Sequence, residues 1–259
     1  MNPISMSMIR LNLTAIKVKA ALAICALMLL AHGAPAQVSS QVISQSMSQA
    51  VALKSQTLRY SIKYGKHNAG ELEIVIERSQ QQIKTTAISH LNILARMFIT
   101  GLTVENWFDI EREKVHLKSG HTLSHGSKTV ERSFVIDRKQ GLIKLQPGEQ
   151  IIPINIDEIF ESPSFPITLI TSDIESIQGQ TVREISPKRI REYVYLAPEQ
   201  HTLTLNGRRF ETWKVTRQKL GDATRTVTLW LDKHNQQIPV KIITTKKNND
   251  TVITLLSAA

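Results

Sequence analysis

The feature that most narrows what this chain can fold into is an unbroken stretch of strand and turn grammar at 208–245, RRFETWKVTRQKLGDATRTVTLWLDKHNQQIPVKIITT. Residues 210–219 make one run, Gly221-Asp222 centres a turn, 224–231 is rich in β-branched residues, and a polar turn at 233–236 precedes a third run at 239–245. This is the pattern of a three-stranded antiparallel meander, with Trp213 and Trp230 available to pack. The rest of the chain is read outward from it.

Upstream, Leu58, Tyr60, Ile62 and Tyr64 alternate with Arg59, Ser61 and Lys63, which places an apolar set on one strand face and a polar set on the other. After a turn at 65–70 the chain returns with Leu72, Ile74 and Ile76 between Glu71, Glu73 and Glu77, completing a hairpin whose opposite charges can pair across its wet face. A third strand follows at 82–91, and 92–101 reads as a short helix or apolar loop able to cap a barrel mouth. Strand grammar continues at 103–110, in a hairpin of 113–124 with 128–137 turning near Gly126, and at 142–145 before Pro147-Gly148. The segment SPSFPITLITSDIESIQG predicts the one helix, with Ser164 as its cap, Pro166 in its first turn and Gly179 closing it. Strands resume at 189–196, Asn206-Gly207 suits a two-residue hairpin, and 251–256 is the last run. The fold class is therefore mainly β: a single antiparallel, strongly curved sheet or open β-barrel of about ten or more strands, with one packed helix.

Residues 1–36 read as a cleaved secretory signal peptide. Arg10, Lys17 and Lys19 occur with no acidic residue, the apolar run 20–31 follows, and Ala34-Pro35-Ala36 offers small residues for cleavage. The apolar run falls short of the roughly 20 residues that a membrane-crossing helix needs. Periplasmic localisation is the expectation. The only cysteine, Cys25, lies in this run behind Ile24, a poor residue for lipid attachment, so the mature chain has no disulfide and no thiolate nucleophile or metal ligand. Residues 37–57 form a flexible Ser/Gln-rich segment and 58–256 a single β-rich domain. The signal holds three of the 32 basic residues and none of the 22 acidic ones, leaving 29 against 22. For an exported basic protein nucleic acid is not an expected partner; lipid, glycolipid or acidic glycan of the envelope is, as are envelope proteins.

In order along the chain, the hairpin ending in Ala69-Gly70-Glu71, the Phe134 to Asp137 run, the central helix near Pro163 to Ile170 and the ending LWLDKHNQQIPVKI resemble the bacterial exported-protein family called domain of unknown function 3108. The resemblance covers 58–256 and departs from the family pattern at 92–110. It implies a β-rich envelope protein and supplies no catalytic residues.

Several constellations bear on chemistry. His116, His121 and His125 are potential zinc ligands, but strand parity separates the first two unless Ser119-Gly120 bends the chain. Thr122 to Gly126 matches only half of a nucleophile elbow, with threonine in place of its first glycine, and a hairpin turn explains it with fewer assumptions. The acidic pairs Glu105 with Asp109 and Asp157 with Glu161 are of a kind that any β protein contains. No catalytic residue, cofactor or metal site is assigned.

The candidate ligand-binding residues are Arg189, Arg191, Tyr193, Arg208, Arg209 and Trp213, two basic clusters each followed by aromatic strand residues. Were their strands to pair through Asn206-Gly207, cations and rings would meet at one sheet end; the same residues also make a solvated edge that resists aggregation. The leading expectation is a non-enzymatic periplasmic protein that binds an apolar or amphipathic envelope component. The alternatives are an assembly or scaffolding factor with a filled interior, and an envelope hydrolase.

Overall fold

The computed structural model describes residues 53–96, 101–125, 129–148, 150–246 and 249–259. The expected signal peptide at 1–36, the Ser/Gln-rich segment up to 52 and the expected turn at Gly126 lie outside the described residues.

Eight strands lead the chain: β1 (Gln56–Tyr64), β2 (His67–Arg78), β3 (Gln82–Leu91), β4 (Gly101–Glu111), β5 (Lys114–His125), β6 (Thr129–Asp137), β7 (Leu142–Gln146) and β8 (Gln150–Pro153). Eight more follow: β9 (Ile159–Glu161), β10 (Thr181–Ser186), β11 (Arg189–Tyr195), β12 (Glu199–Leu205), β13 (Arg208–Lys219), β14 (Asp222–Asp232), β15 (Pro239–Lys246) and β16 (Asn249–Ala258). All belong to one sheet, ordered β8-β7-β6-β5-β4-β3-β2-β1-β16-β15-β14-β13-β11-β10-β9, with β12 a side branch on β13. Every pairing is antiparallel except β9 with β10. The 208–245 meander is present as β13-β14-β15.

The two ends of this sheet, β8 and β9, are joined by residues 154–158 alone. At the reach of an extended chain that link spans roughly 20 Å, so a sheet this wide must curl back on itself. The result is barrel-like but unclosed, because β8 and β9 do not pair. Arg138 fastens the seam: its Nη1 donates to the Ile156 carbonyl at 2.6 Å and its Nη2 to that of Glu158 at 3.5 Å. Arg183 Nη1 holds Glu158 Oε2 at 2.7 Å from the β10 side.

The local chemistry follows the alternation. Leu58 and Tyr60 are fully buried, and Arg59 Nε reaches Glu73 Oε2 at 3.1 Å on the outer face. Asn206 and Gly207 both take positive φ, 50° and 78°, as the two-residue β12–β13 turn requires.

The helix expected from Ser164 to Gly179 is much shorter. It is one turn, α2 (Ile167–Ile170); after it Asp173 caps a 3-10 turn at Ile174–Ser176. Ser164 does not cap it, because its hydroxyl accepts from Asn106 Nδ2 at 2.9 Å. The Thr171 and Ser172 hydroxyls bond back to the Ile167 and Thr168 carbonyls at 2.8 and 2.6 Å, and the helix ends there. Ile167, Leu169 and Ile170 are nonetheless buried in the main core, against β5 and β9. The other helical turn among the described residues, α1 (Ile93–Arg96), is capped by Asn92 Oδ1, which accepts from the Ala95 amide at 2.8 Å.

Candidate ligand-binding cavity

The interior is filled at one end of the sheet and hollow at the other. The hollow end holds a cavity of about 1100 Å³, at or above the roughly 300–1,000 Å³ of common small-molecule sites. Its walls are the inner faces of β16, β1, β2, β3 and β4, with Ala95 of α1 and Pro163 closing on them. Ile62, Leu72, Leu91, Val104 and Ile253 make the lining chiefly apolar. The volume arises from small residues in the inward phase, Ala69, Ala87 and Ser89, where larger aliphatics would otherwise meet.

A second cavity of about 230 Å³ adjoins the first and shares Leu102, Val104 and Pro163 with it. Three cross-strand rungs run inward from its rim: Leu102–Ser124–Val130, then Val104–Thr122–Arg132, then Asn106–Gly120–Phe134. The β10–β11 hairpin forms the opposite wall with Ser186, Pro187, Lys188 and Arg189. At the floor, Gly120 is obligatory, since a Cβ there would meet Phe134 Cε1 at 2.4 Å and Asn106 Oδ1 at 2.7 Å. Asn106 Oδ1 is buried with no hydrogen-bond partner, as is Thr85 Oγ1 on the neighbouring strand in register with it. Such an atom costs about 1–3 kcal/mol when nothing donates to it.

The six residues singled out from the sequence do not converge. Tyr193 and Tyr195 of β11 pair with Lys219 and Arg217 at the far end of β13, whereas Arg208 lies eleven positions earlier, about 36 Å along the strand. Arg189 is at the cavity end. Arg208 and Arg209 are at the opposite end, where the Arg208 guanidinium stacks on Phe210 at 4.8 Å. Trp213 packs on the main core under Lys233 Nζ, 4.8 Å from its ring, and lines neither cavity. Tyr193 is buried beneath the Arg217 guanidinium, and Arg191 Nη1 is engaged by Glu184 Oε1 at 3.2 Å.

Arg191 thereby joins a buried network that sequence reading missed. Glu161 and Glu184 are neighbours in the parallel β9–β10 pair, and Arg217 of β13 donates to both, with Nη2 2.6 Å from Glu184 Oε2 and Nη1 on Glu161 Oε2. Tyr195 donates its hydroxyl to Glu161 Oε1 at 2.7 Å, so every carboxylate oxygen is occupied. Burial pushes the Glu161 carboxyl up, opposed by Arg217 and by the Tyr195 hydroxyl. Burial also disfavours charge on Arg217, but Glu161 and Glu184 outweigh it and hold its pKa above the ordinary value. One clue was present: Arg217 follows Val215 in the inward phase of its strand, where a charge needs buried partners.

The histidine cluster is resolved by a bulge. Trp107 pairs with Ser119 and Phe108 with Leu117, so Lys118 is the extra residue and the parity of β5 changes there. His121 lies between Glu131 Oε1, 2.9 Å from its Nε2, and Glu105 Oε2, 3.7 Å from its Nδ1, while His125 Nε2 sits 3.1 Å from Thr103 Oγ1. Among the described residues no group of three or more His, Cys, Asp or Glu side chains is placed to hold a metal ion. Glu105 pairs with Lys84 at 2.7 Å and Asp109 with Lys118 at 3.2 Å on the surface.

The family model described as "Protein of unknown function (DUF3108)" matches residues 59–256. The chain belongs to the DUF3108 family. Among solved structures it is similar to the beta-barrel-like protein of domain of unknown function DUF1849 from Brucella abortus, with a TM-score of 0.52 at 11% identity over 80% of this chain and 97% of that one. At that identity the likeness shows the fold alone: this DUF3108 chain and the Brucella protein share a barrel-like β architecture. No curated protein matches the sequence.

Proposed function

We propose that this DUF3108 protein is an exported, non-enzymatic protein of the periplasm that holds the apolar part of a lipid-like envelope molecule inside its curled sheet. The observation that carries this reading is the cavity of about 1100 Å³ with its chiefly apolar wall. Water gains little from such a wall, whereas an alkyl chain entering it leaves water at about 25 cal/mol per Å² buried. Tyr64, Ile93 and Leu102, at or beside the mouth, are large hydrophobics left exposed, a suitable edge for lipid to cross on entry. The ionisable cluster of Glu161, Glu184 and Arg217 is buried with every carboxylate oxygen paired, which favours a structural role for it over catalysis.

Native mass spectrometry of the protein purified from the periplasm without detergent tests the reading. A stoichiometric lipid adduct is expected, and it should be absent from Ala87→Phe, whose ring occupies the cavity. A clean apo mass together with no uptake of any added amphiphile overturns it.

A second reading has one observation in its favour. β12 is a seven-residue strand paired only with β13, so its outer edge is open to a strand from another envelope protein. Crosslinking from Thr202 on β12 to a protein partner, with no lipid found, would favour that scaffolding role.

A further inference from the structure

We infer that the smaller cavity is the headgroup subsite of the larger one, and that the pair is built for an amphiphile with a compact, anionic head. This rests on the lipid-holding reading and specifies its ligand class. The two cavities share Leu102, Val104 and Pro163, so one molecule can lie across both, its chain between β16 and β4 and its head between β4, β6 and the β10–β11 hairpin.

The charge is one-sided. Arg132, Lys188 and Arg189 line the smaller cavity, which has no acidic residue in its wall. None of these three has a carboxylate within ion-pair distance among the described residues, whereas Arg183, Arg191 and Arg217 of the same end of the sheet order all do. Cations left without partners beside an apolar chamber match a phosphate or carboxylate, which a guanidinium can grip through two N–H groups. Partial burial first, then the nearby Arg191 and Arg225, lower the Arg189 pKa, with Glu184 and Tyr193 opposing. Below the rim, Asn106 closes the cavity floor with its Nδ2 donated to Ser164. At about 230 Å³ the subsite takes a compact head.

The test uses the mature chain and three probes with the same oleoyl chain: lysophosphatidylglycerol, oleate and neutral monoolein. Affinities are read by displacement of a fluorescent fatty acid, in wild type, Arg189→Glu, Arg132→Gln and, as a control at the opposite sheet end, Arg208→Glu. Both anionic probes should bind wild type at least about ten-fold more tightly than monoolein, with the advantage shrinking as salt rises. Arg189→Glu and Arg132→Gln should each lose most of that advantage while binding monoolein as wild type does, which also shows that they are folded. Arg208→Glu should change nothing. A preference for lysophosphatidylglycerol alone assigns the subsite to phosphate; equal binding of both anions assigns it to any oxyanion head.

Equal binding of monoolein and the anions, unaltered by Arg189→Glu, overturns the headgroup subsite and leaves the lipid-holding function standing. Failure of all three probes to bind wild type overturns both.

Discussion

The two ends of the curled sheet obey the same alternation yet differ in what they enclose. Inward positions of β3 run Ile83, Thr85, Ala87, Ser89 from the filled end to the hollow one, and those of β5 run Leu117, Gly120, Thr122, Ser124. At the filled end the large members meet Phe108, Phe134 and the side chains of α2, all buried in one cluster. At the hollow end the small ones face one another across empty volume. Binary pattern decides which face is interior; side-chain volume decides whether that interior is a core or a chamber.

The sharpest way to break the comparison is in the packed interior, at its buried charge network. Arg217→Leu leaves Glu161 without a cation beside Glu184, which keeps only Arg191. The expected loss is about 3–5 kcal/mol of unfolding free energy, read as a lower urea midpoint at unchanged slope. Next comes Gly120→Ala at the boundary, where the added Cβ collides with the Phe134 ring and Asn106; overpacking there should cost roughly 1–3 kcal/mol. Ala87→Phe adds far more bulk, but into the chamber, and should alter stability by less than about 1.5 kcal/mol while abolishing amphiphile uptake. A larger loss from Ala87→Phe than from Gly120→Ala would mean that the chamber is not open space.

How much of this could be read from the chain depends on range. Strand grammar is local, so the first hairpin, the meander and the Asn206-Gly207 turn are legible residue by residue. The curl is not, because it follows from β8 and β9 being neighbours in sequence and opposite edges in the sheet, a fact of pairing order. The helix is shorter than its local signals predict because the Ser164 hydroxyl, locally a cap, serves Asn106, 58 residues away. For the site, Arg189 was singled out and does line a cavity, but Arg208, Arg209 and Trp213 were grouped with it on an assumed strand pairing. β13 divides its edge between β12 and β11, and that division sends the two basic clusters to opposite ends. Arg132, Asn106 and the small residues Ala87 and Ser89 carry no motif; the drop in volume along an inward phase is the signal that finds the small ones.

The smallest effect separates the ends by acid. His116 of β5 lies at the filled end, and burial, then the neighbouring Arg138 charge, depress its pKa below the ordinary value of about 6.5, with Lys114 adding to Arg138 and Glu111 and Asp109 opposing. The unfolded chain then binds a proton at His116 more readily than the folded one, so its contribution to stability is present above about pH 6.5 and is lost as pH falls toward the lower folded value. Protonation also sets a second cation near Arg138, whose guanidinium ties the 154–158 link across the seam. Urea midpoints should therefore fall between about pH 7.5 and about pH 5 less steeply in His116→Gln than in wild type, and the affinity for monoolein at neutral pH should be the same in both. An identical pH slope in the two proteins would remove His116 from the acid response, and a change in monoolein affinity would show that the filled and hollow ends are coupled through the sheet.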